Sequence, residues 1–479
     1  MSTTDEPNAG SAEESPRSDK ASDPPPLPPL SAKSVSRSER AALEAETLPP
    51  VWGLPKKLLF RFALLYFLLY AMPFAVTTVA ALDVQLEAWF ETEIIPNDVN
   101  IGEKYQGVWR EIVPWVGDKV FGLDITIFPA GSGDTTYNYV EILVFASAAL
   151  LLALIWSFLF RRTRNHRVLA WWLWTGARYY VGMYMLIYGF AKIFPGQFRF
   201  PPPETLMQQF GDASPMRILW FFMGFSETYT QFAGWGEAIG GFLLFFRRTV
   251  SLGAVILVAV LSNVVMLNYC YDVPVKLFSS HLLVMAFAIL LPDLRRLFRV
   301  FVLNRATKPR NLTGPIPYRF VRGALVVVKL AFVGYLLYSH VEQGRKMLEF
   351  QADQPVSPFA GAWTVESYTQ DGEERPPLLT DPDRWQNLVF YSQWMSVRRM
   401  DDRVDRFAVE LDESAGTLVV AKFFDQEVKF ELTYAEPEED KLVIEGELDG
   451  NAIRVELVRR KFPLLERGFH WINERPNNS

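Results

Sequence analysis

Seven long apolar segments constrain this chain more than any other feature of its sequence. A helix needs about 20 mainly apolar residues to cross the roughly 30 Å hydrocarbon core of a bilayer. Segments of this kind lie at 57–81, 138–160, 168–193, 229–246, 250–270, 274–291 and 320–339. Half of the 479 residues are hydrophobic, which is too apolar for one soluble domain. We therefore predict a membrane bundle of about seven transmembrane helices.

The distribution of basic residues predicts how this bundle is oriented. Arginines crowd the connections after the second, fourth and sixth segments, at 161–167, 247–248 and 295–322. Connections rich in Lys and Arg usually stay in the cytoplasm. We expect a multi-pass protein of a bacterial inner membrane, with a cytoplasmic N-terminus and a C-terminal domain in the periplasm or outside the cell.

Composition along the chain predicts its domains. Residues 1–50 are polar and rich in Pro and Ser, which predicts a disordered cytoplasmic tail. The rest is predicted to comprise 51–167 with two transmembrane helices and an external loop at 82–137, 168–300 with four helices, 301–345 with a cytoplasmic loop and the last helix, and the external domain 355–479. That domain is acidic, which makes nucleic acid an unsuitable partner, whereas membrane lipids are expected partners of the bundle.

The external domain alternates at period two. Phe407, Val409 and Leu411 show this pattern, and turn signals such as Asp449-Gly-Asn451 separate the runs. We predict about eight short strands in an antiparallel meander that closes into a small barrel, because closure removes the sheet edges. The interior either is filled by side chains or holds a ligand.

Four consecutive apolar segments each carry one polar or ionisable residue near mid-membrane. These residues are Arg178, Glu237, Asn263 and His281. At about 1.5 Å of rise per residue, Arg178, Glu237 and His281 lie about 15 Å from the cytoplasmic ends of their helices. Polar groups are costly in hydrocarbon, so we expect the four to meet in one layer, with Arg178 as the counter-charge of Glu237. The layer is either a proton- or ligand-handling site or an ion pair that holds the bundle together.

A second polar cluster lies near the predicted outer surface. Asp272 is expected to accept from the free N–H groups of the helix that starts near Pro274, and to pair with Lys276. Alternatively, Lys192, Asn268 and Lys276 form a basic mouth for an anionic headgroup or an oxyanion.

Tyrosines and the scarcity of metal ligands narrow the chemistry. Tyr179, Tyr180, Tyr184 and Tyr188 follow one another along the third segment, either as packing or as the wall of a pocket for a flat quinone ring. The single cysteine, Cys270, and four scattered histidines predict no metal site.

Segments three to six resemble the DoxX-like four-helix membrane family. The resemblance rests on Arg178, on Tyr188-Gly-Phe-Ala-Lys192, on Gly234-Trp-Gly-Glu237 with Gly240-Gly241, and on the polar cluster that ends at His281. In the external domain, Gly361-Ala-Trp363 resembles the Gly-x-Trp start of lipocalin-like barrels.

The DoxX resemblance implies a component of a quinone- or lipid-linked membrane redox system. Glu237, Arg178 and His281 would be its catalytic residues. Lys192, Asn263, Asn268, Asp272 and Lys276 would bind its ligand. The implied cofactor is a quinone, and the implied partner is a redox or periplasmic protein. The sequence leaves one alternative open, a non-enzymatic scaffold that binds lipid or a partner and carries an external barrel.

Overall fold

The computed structural model describes most of the chain beyond the N-terminal tail. The described residues are 51–90, 101–127, 131–310, 314–354, 357–391, 393–423 and 425–475, with the backbone alone at 74–90, 101 and 425–426. The tail predicted over 1–50 lies outside these residues.

Long helices make up the first three quarters of the described chain. They are α1 (Leu54–Phe90), α2 (Ile101–Val116), α3 (Thr136–Leu159), α4 (Arg167–Ile193), α5 (Pro215–Phe225), α6 (Glu227–Leu244), α7 (Val250–Cys270), α8 (Lys276–Leu297) and α9 (Arg319–Ala352). Hydroxyl caps begin several of them. The Thr135 side chain caps α3, Ser214 caps α5 and Ser226 caps α6, and each cap satisfies an N–H group that has no partner within the helix.

Four of the described helices are long and apolar enough to cross a membrane. They span Thr136–Leu159, Val250–Cys270, Lys276–Val302 and Arg319–Ala352, which correspond to the second, fifth, sixth and seventh predicted segments. The segments at 57–81 and 168–193 are also helical, within α1 and α4, and α6 covers the segment at 229–246 as far as Leu244. That these three cross the membrane stays a prediction.

Helices α4, α6, α7 and α8 form one closed four-helix arrangement. Helix α4 packs against α6, α6 against α7, α7 against α8, and α8 returns to α4. Glycines allow the closest approach, because a Cβ atom at Gly189 would lie 2.8 Å from the Gly234 carbonyl oxygen, and one at Gly241 2.9 Å from the Gly182 carbonyl oxygen. Small residues let two backbones come this near. Helix α1 packs against α3 and α4, and α9 runs along α4.

The C-terminal domain is a closed antiparallel barrel. Its strands are β1 (Gly361–Gln370), β2 (Glu373–Glu374), β3 (Trp385–Phe390), β4 (Trp394–Arg399), β5 (Val404–Asp412), β6 (Thr417–Lys422), β7 (Asp425–Ala435), β8 (Lys441–Leu448) and β9 (Asn451–Arg459). Each strand from β3 to β9 pairs with the next. Strand β1 pairs with both β3 and β9, so eight strands close the barrel, and the short β2 pairs with the end of β1. The predicted meander and its closure are confirmed.

Apolar side chains fill the barrel. Trp363, Phe390, Leu418 and Val455 belong to one buried cluster contributed by strands on all sides. The Trp363 indole nitrogen donates to the Phe359 carbonyl oxygen at 2.8 Å, and the Arg459 guanidinium lies 4.4 Å from the centre of the Trp363 ring. Of the two predicted interiors, the filled one agrees with this packing.

Candidate functional site

The buried carboxylate of Glu237 pairs with a different cation from the one that the sequence suggested. Glu237 is 3% exposed and Lys192 is 8% exposed, and Lys192 Nζ lies 2.9 Å from Glu237 Oε2. The residues belong to α6 and α4, at the place where Gly189 and Gly234 bring these helices together. The expected pair of Arg178 and Glu237 is therefore wrong, and Lys192, in the last turn of α4, is the counter-charge of Glu237.

Arg178 is held by a backbone carbonyl. Its Nε and Nη2 atoms donate to the Leu244 carbonyl oxygen at 2.9 and 2.5 Å, and its guanidinium lies 4.6 Å from the centre of the Trp174 ring. Leu244 ends α6, so this carbonyl has no partner of its own within the helix. Arg178 thus caps α6 from the neighbouring α4.

His281 makes contact with α1, which was not among the segments expected to share its site. The Tyr66 hydroxyl lies 2.6 Å from His281 Nε2, and His281 Nδ1 lies 2.6 Å from the Leu277 carbonyl oxygen. Because a carbonyl only accepts, Nδ1 carries a proton; in the neutral ring Nε2 then accepts from Tyr66. The Tyr70 ring stacks on the imidazole with centroids 4.4 Å apart.

Asn263 does not join these residues. It is exposed on α7. The predicted layer of four polar groups is therefore not one cluster, since Glu237, Arg178 and His281 each contact a different partner. Depth along a helix could be estimated from the sequence, but the direction in which each side chain points around that helix could not.

The polar residues near the start of α8 form a helix cap. The carboxylate of Asp134, in the loop before α3, accepts from the backbone N–H groups of Lys276 and Leu277 at 2.7 and 3.0 Å. The sequence assigned this role to Asp272, and that assignment is wrong. Asp272 instead accepts from Lys276 Nζ at 2.7 Å, as the predicted ion pair requires.

Asn268 is buried beside this cap. Its amide donates to Ser279 Oγ at 3.0 Å, which links the end of α7 to the first turn of α8. Lys192 pairs with Glu237 and Lys276 with Asp272, so each residue of the predicted basic mouth has a partner of its own, and a shared role in ligand binding stays a prediction.

A continuous row of aromatic rings connects His281 with the Lys192–Glu237 pair. Ring centroids are 4.4 Å apart for His281 and Tyr70, 6.3 Å for Tyr70 and Tyr180, 4.9 Å for Tyr180 and Tyr184, and 6.4 Å for Tyr184 and Tyr188. Lys192 Nζ lies 5.6 Å from the centre of the Tyr188 ring. We call this set, from Tyr66 through Glu237, the tyrosine row.

Two of the five tyrosines in the row come from the first apolar segment, outside the segments that resemble the DoxX-like family. Tyr66 and Tyr70 are four residues apart on α1 and so share one face, as Tyr180, Tyr184 and Tyr188 do on α4. This spacing of four residues, present in both segments, is the sequence feature from which the row could have been predicted. In the part of the chain that the structure describes, no three His, Cys, Asp or Glu residues are grouped to hold a metal ion.

Comparison with known proteins gives one curated relative. No family model matches the chain, and no solved structure matches it. The uncharacterized protein YwoB of Bacillus subtilis is 36% identical over 124 residues, which are 26% of this chain and 79% of YwoB. The chain belongs to the YwoB family.

The match to YwoB covers 26% of the chain, and YwoB itself is uncharacterized. The chemistry of this YwoB relative therefore depends on its own side chains. The tyrosine row offers phenol, imidazole, ammonium and carboxylate groups that can exchange protons. The half-buried rings of Tyr184, Tyr188 and Phe278, with Lys192 beside them, combine flat apolar walls with a hydrogen-bond donor. Flat apolar faces beside a hydrogen-bond donor are the kinds of group that can contact a small aromatic ring.

Proposed function

We propose that this chain is a DoxX-like component of a quinone- or lipid-linked redox system in a bacterial inner membrane. The observation that carries the proposal is the tyrosine row, which joins His281 to the buried Lys192–Glu237 pair through contacting rings. The closed arrangement of α4, α6, α7 and α8 supports the likeness to the four-helix family.

The residues that would hold a quinone are Tyr184, Tyr188 and Phe278, with Lys192 donating to a ring oxygen. A lysine ammonium has three donor hydrogens, so Lys192 can keep its contact with Glu237 and still donate. When bound, a quinone supplies two-electron, two-proton chemistry, and a redox protein partner exchanges the electrons. Tyr66 and His281 hold a proton between them at 2.6 Å, and the row of aromatic rings leads from there toward Glu237.

The proposal is tested by asking what the purified protein carries. The full chain, purified in mild detergent, is extracted with organic solvent and the extract is measured by mass spectrometry. We expect one quinone per protein in the wild type. In the double variant Glu237→Gln with Lys192→Met, the buried charges are gone together, so the bundle should stay folded and the quinone should be lost.

Glu227→Gln is the matched control, because Glu227 lies on the same helix but is exposed. It should keep the quinone. A folded double variant that retains the wild-type amount of quinone, or a wild type that carries none, contradicts the redox proposal.

The second candidate is the non-enzymatic scaffold. It is favoured because the buried ionisable groups already have partners within the protein. Lys192 pairs with Glu237, and Arg178 donates to the Leu244 carbonyl. In that case the extract contains phospholipid or no ligand, and the double variant does not change it. A partner would then bind the outer surface of the barrel, since apolar side chains fill the interior.

A further inference from the structure

A large cleft opens at the end of the bundle where α4 and α9 begin and α6 ends. Its volume is about 890 Å³, and its walls come from these three helices and from the segment at 314–316. It is lined by Trp172 and Tyr179 of α4, by Phe246 after α6, and by Leu325 and Val326 of α9. The cleft is thus apolar and aromatic over much of its wall.

Five cations line this apolar cleft. They are Arg178, Arg247, Arg248, Arg322 and Lys329. No Asp or Glu residue is among the described residues that line it. Within the described ranges, Arg178, Arg248, Arg322 and Lys329 form no ion pair with a carboxylate. Like charges that lie close together repel one another, which costs free energy, and a bound anion would offset that cost.

Aromatic rings hold several of these cations in place. The Arg247 guanidinium lies 5.0 Å from the centre of the Trp171 ring, and Lys329 Nζ lies 4.8 Å from that of Phe246. Gly314 packs against Trp171 and Arg247, because a Cβ atom at this position would lie 3.0 Å from the Trp171 ring and 3.2 Å from Arg247. The cations are therefore ordered before a ligand arrives, which lowers the entropic cost of binding.

The apolar wall continues from the cations onto the outer surface of the bundle. Trp172 is 51% exposed, Leu325 45% and Val326 49%. Basic residues beside a surface that faces hydrocarbon are the surroundings that an anionic lipid headgroup requires, because its charge needs cations and its chains need an apolar wall. A soluble anion would make no use of that wall.

We propose that this cleft binds the phosphate-bearing headgroup of an anionic membrane phospholipid. Arg247, Arg248, Arg322 and Lys329 contact the phosphate, and the acyl chains lie along Trp172, Leu325 and Val326. The inference goes beyond the redox proposal and does not depend on it, since the contacts of the Lys192–Glu237 pair are not used.

The test is a lipid titration of the purified full chain followed by native mass spectrometry. The probes are dioleoylphosphatidylglycerol, zwitterionic dioleoylphosphatidylcholine and inorganic phosphate. We expect the anionic lipid to bind at least about tenfold more tightly than the zwitterionic one. Each lipid-facing cation contributes about 1 kcal/mol, or about fivefold in affinity, so Arg247→Gln combined with Lys329→Gln should weaken binding of the anionic lipid about 25-fold.

The matched control removes the same amount of charge from the segment that follows α8. Arg299 and Arg305 are exposed and do not line the cleft, so Arg299→Gln with Arg305→Gln should change the affinity less than about twofold. Trp172→Ala keeps every cation and should weaken both lipids. It also serves if the double variant of the cleft does not fold.

Three results would overturn the proposal. The two lipids could bind equally, the cleft and control variants could behave alike, or inorganic phosphate could displace the anionic lipid completely. The last result would identify a site for a free oxyanion instead of a lipid.

Discussion

Lys192 and Glu237 show how a buried charge is accommodated in this bundle. Both side chains lie at the contact of α4 and α6 and meet at 2.9 Å. Removing two charges from water costs several kcal/mol for each ion, and the attraction between them offsets that cost only while both are present. The intact pair therefore adds less to the free energy of unfolding than the loss of either partner alone would remove.

The first prediction concerns this asymmetry. Glu237→Gln alone leaves the Lys192 ammonium buried without a counter-charge and should lower the free energy of unfolding by about 3–5 kcal/mol. Adding Lys192→Met should recover most of that loss. Thermal unfolding of the wild type, both single variants and the double variant in one detergent measures the coupling.

Arg178→Met is the control for this cycle, because Arg178 contacts the Leu244 carbonyl and not Glu237. Combined with Glu237→Gln, it should lower stability further. If Arg178→Met instead recovered stability in the Glu237→Gln background, Arg178 would be the counter-charge of Glu237, as the sequence suggested.

At the scale of elements, the contact of α4 with α6 depends on the absence of side chains. A Cβ atom at Gly241 would lie 2.7 Å from the Met185 Cβ and 2.9 Å from the Gly182 carbonyl oxygen. These distances are shorter than a Cβ atom makes with its neighbours in folded proteins, so one helix would have to shift. We predict that Gly241→Ala lowers the free energy of unfolding by about 1–3 kcal/mol, the usual cost of overpacking.

Gly236 provides the comparison on the same helix. A Cβ atom there would meet Val260 at an ordinary 3.5 Å, and alanine favours a helix over glycine by about 1 kcal/mol. Gly236→Ala should therefore raise the melting temperature or leave it unchanged. Similar losses for both alanine variants would show that the α4–α6 contact is not the cause.

The start of α8 depends on a carboxylate from another element. Asp134→Ala removes the acceptor for two backbone N–H groups and should cost about 0.5–2 kcal/mol, as the loss of an N-terminal cap does. Asp272→Ala removes only an ion pair whose carboxylate side chain is 82% exposed, and it should cost less than about 1 kcal/mol. Hydrogen exchange in the first turn of α8 measures both, and a larger effect of Asp272→Ala would contradict the assignment of the cap.

At the scale of the whole molecule, the barrel and the helices have separate cores. The buried cluster of the barrel contains only residues from 359 to 457, and the clusters of the helices contain none of these. An ion pair links the two parts, with Arg406 Nη2 3.1 Å from Glu204 Oε1, and Met207 lines a small crevice together with Val389 of β3. A half-exposed pair of this kind contributes at most about 1 kcal/mol.

The fourth prediction follows from these separate cores. A chain that ends after Asp353 should express, elute as a single species in detergent and melt within a few degrees of the full chain, because the buried clusters of the helices contain no residue of the barrel. Arg406→Glu in the full chain is the matched control and should cause a similarly small change. Loss of expression on truncation would mean that the bundle requires the barrel in order to fold.

Several features of this protein could be predicted from the sequence because they depend on local periodicity. The period-two pattern at Phe407, Val409 and Leu411 predicted strands that the structure contains, and long apolar runs predicted helices such as α3 and α7. Alternation and apolar length are set by neighbouring residues along the chain. The burial of Glu237 was also predictable, because a carboxylate within an apolar segment must find a partner.

The partners themselves were decided only by tertiary structure. Glu237 meets Lys192 instead of Arg178, Asp134 caps α8 instead of Asp272, and His281 meets Tyr66 of a helix that is 215 residues away in the sequence. Residue types and depth can be read along one helix, but the rotation of that helix about its own axis is set by how its neighbours pack. In this bundle the glycines of α4 and α6 set that rotation, and with it the side chains that meet.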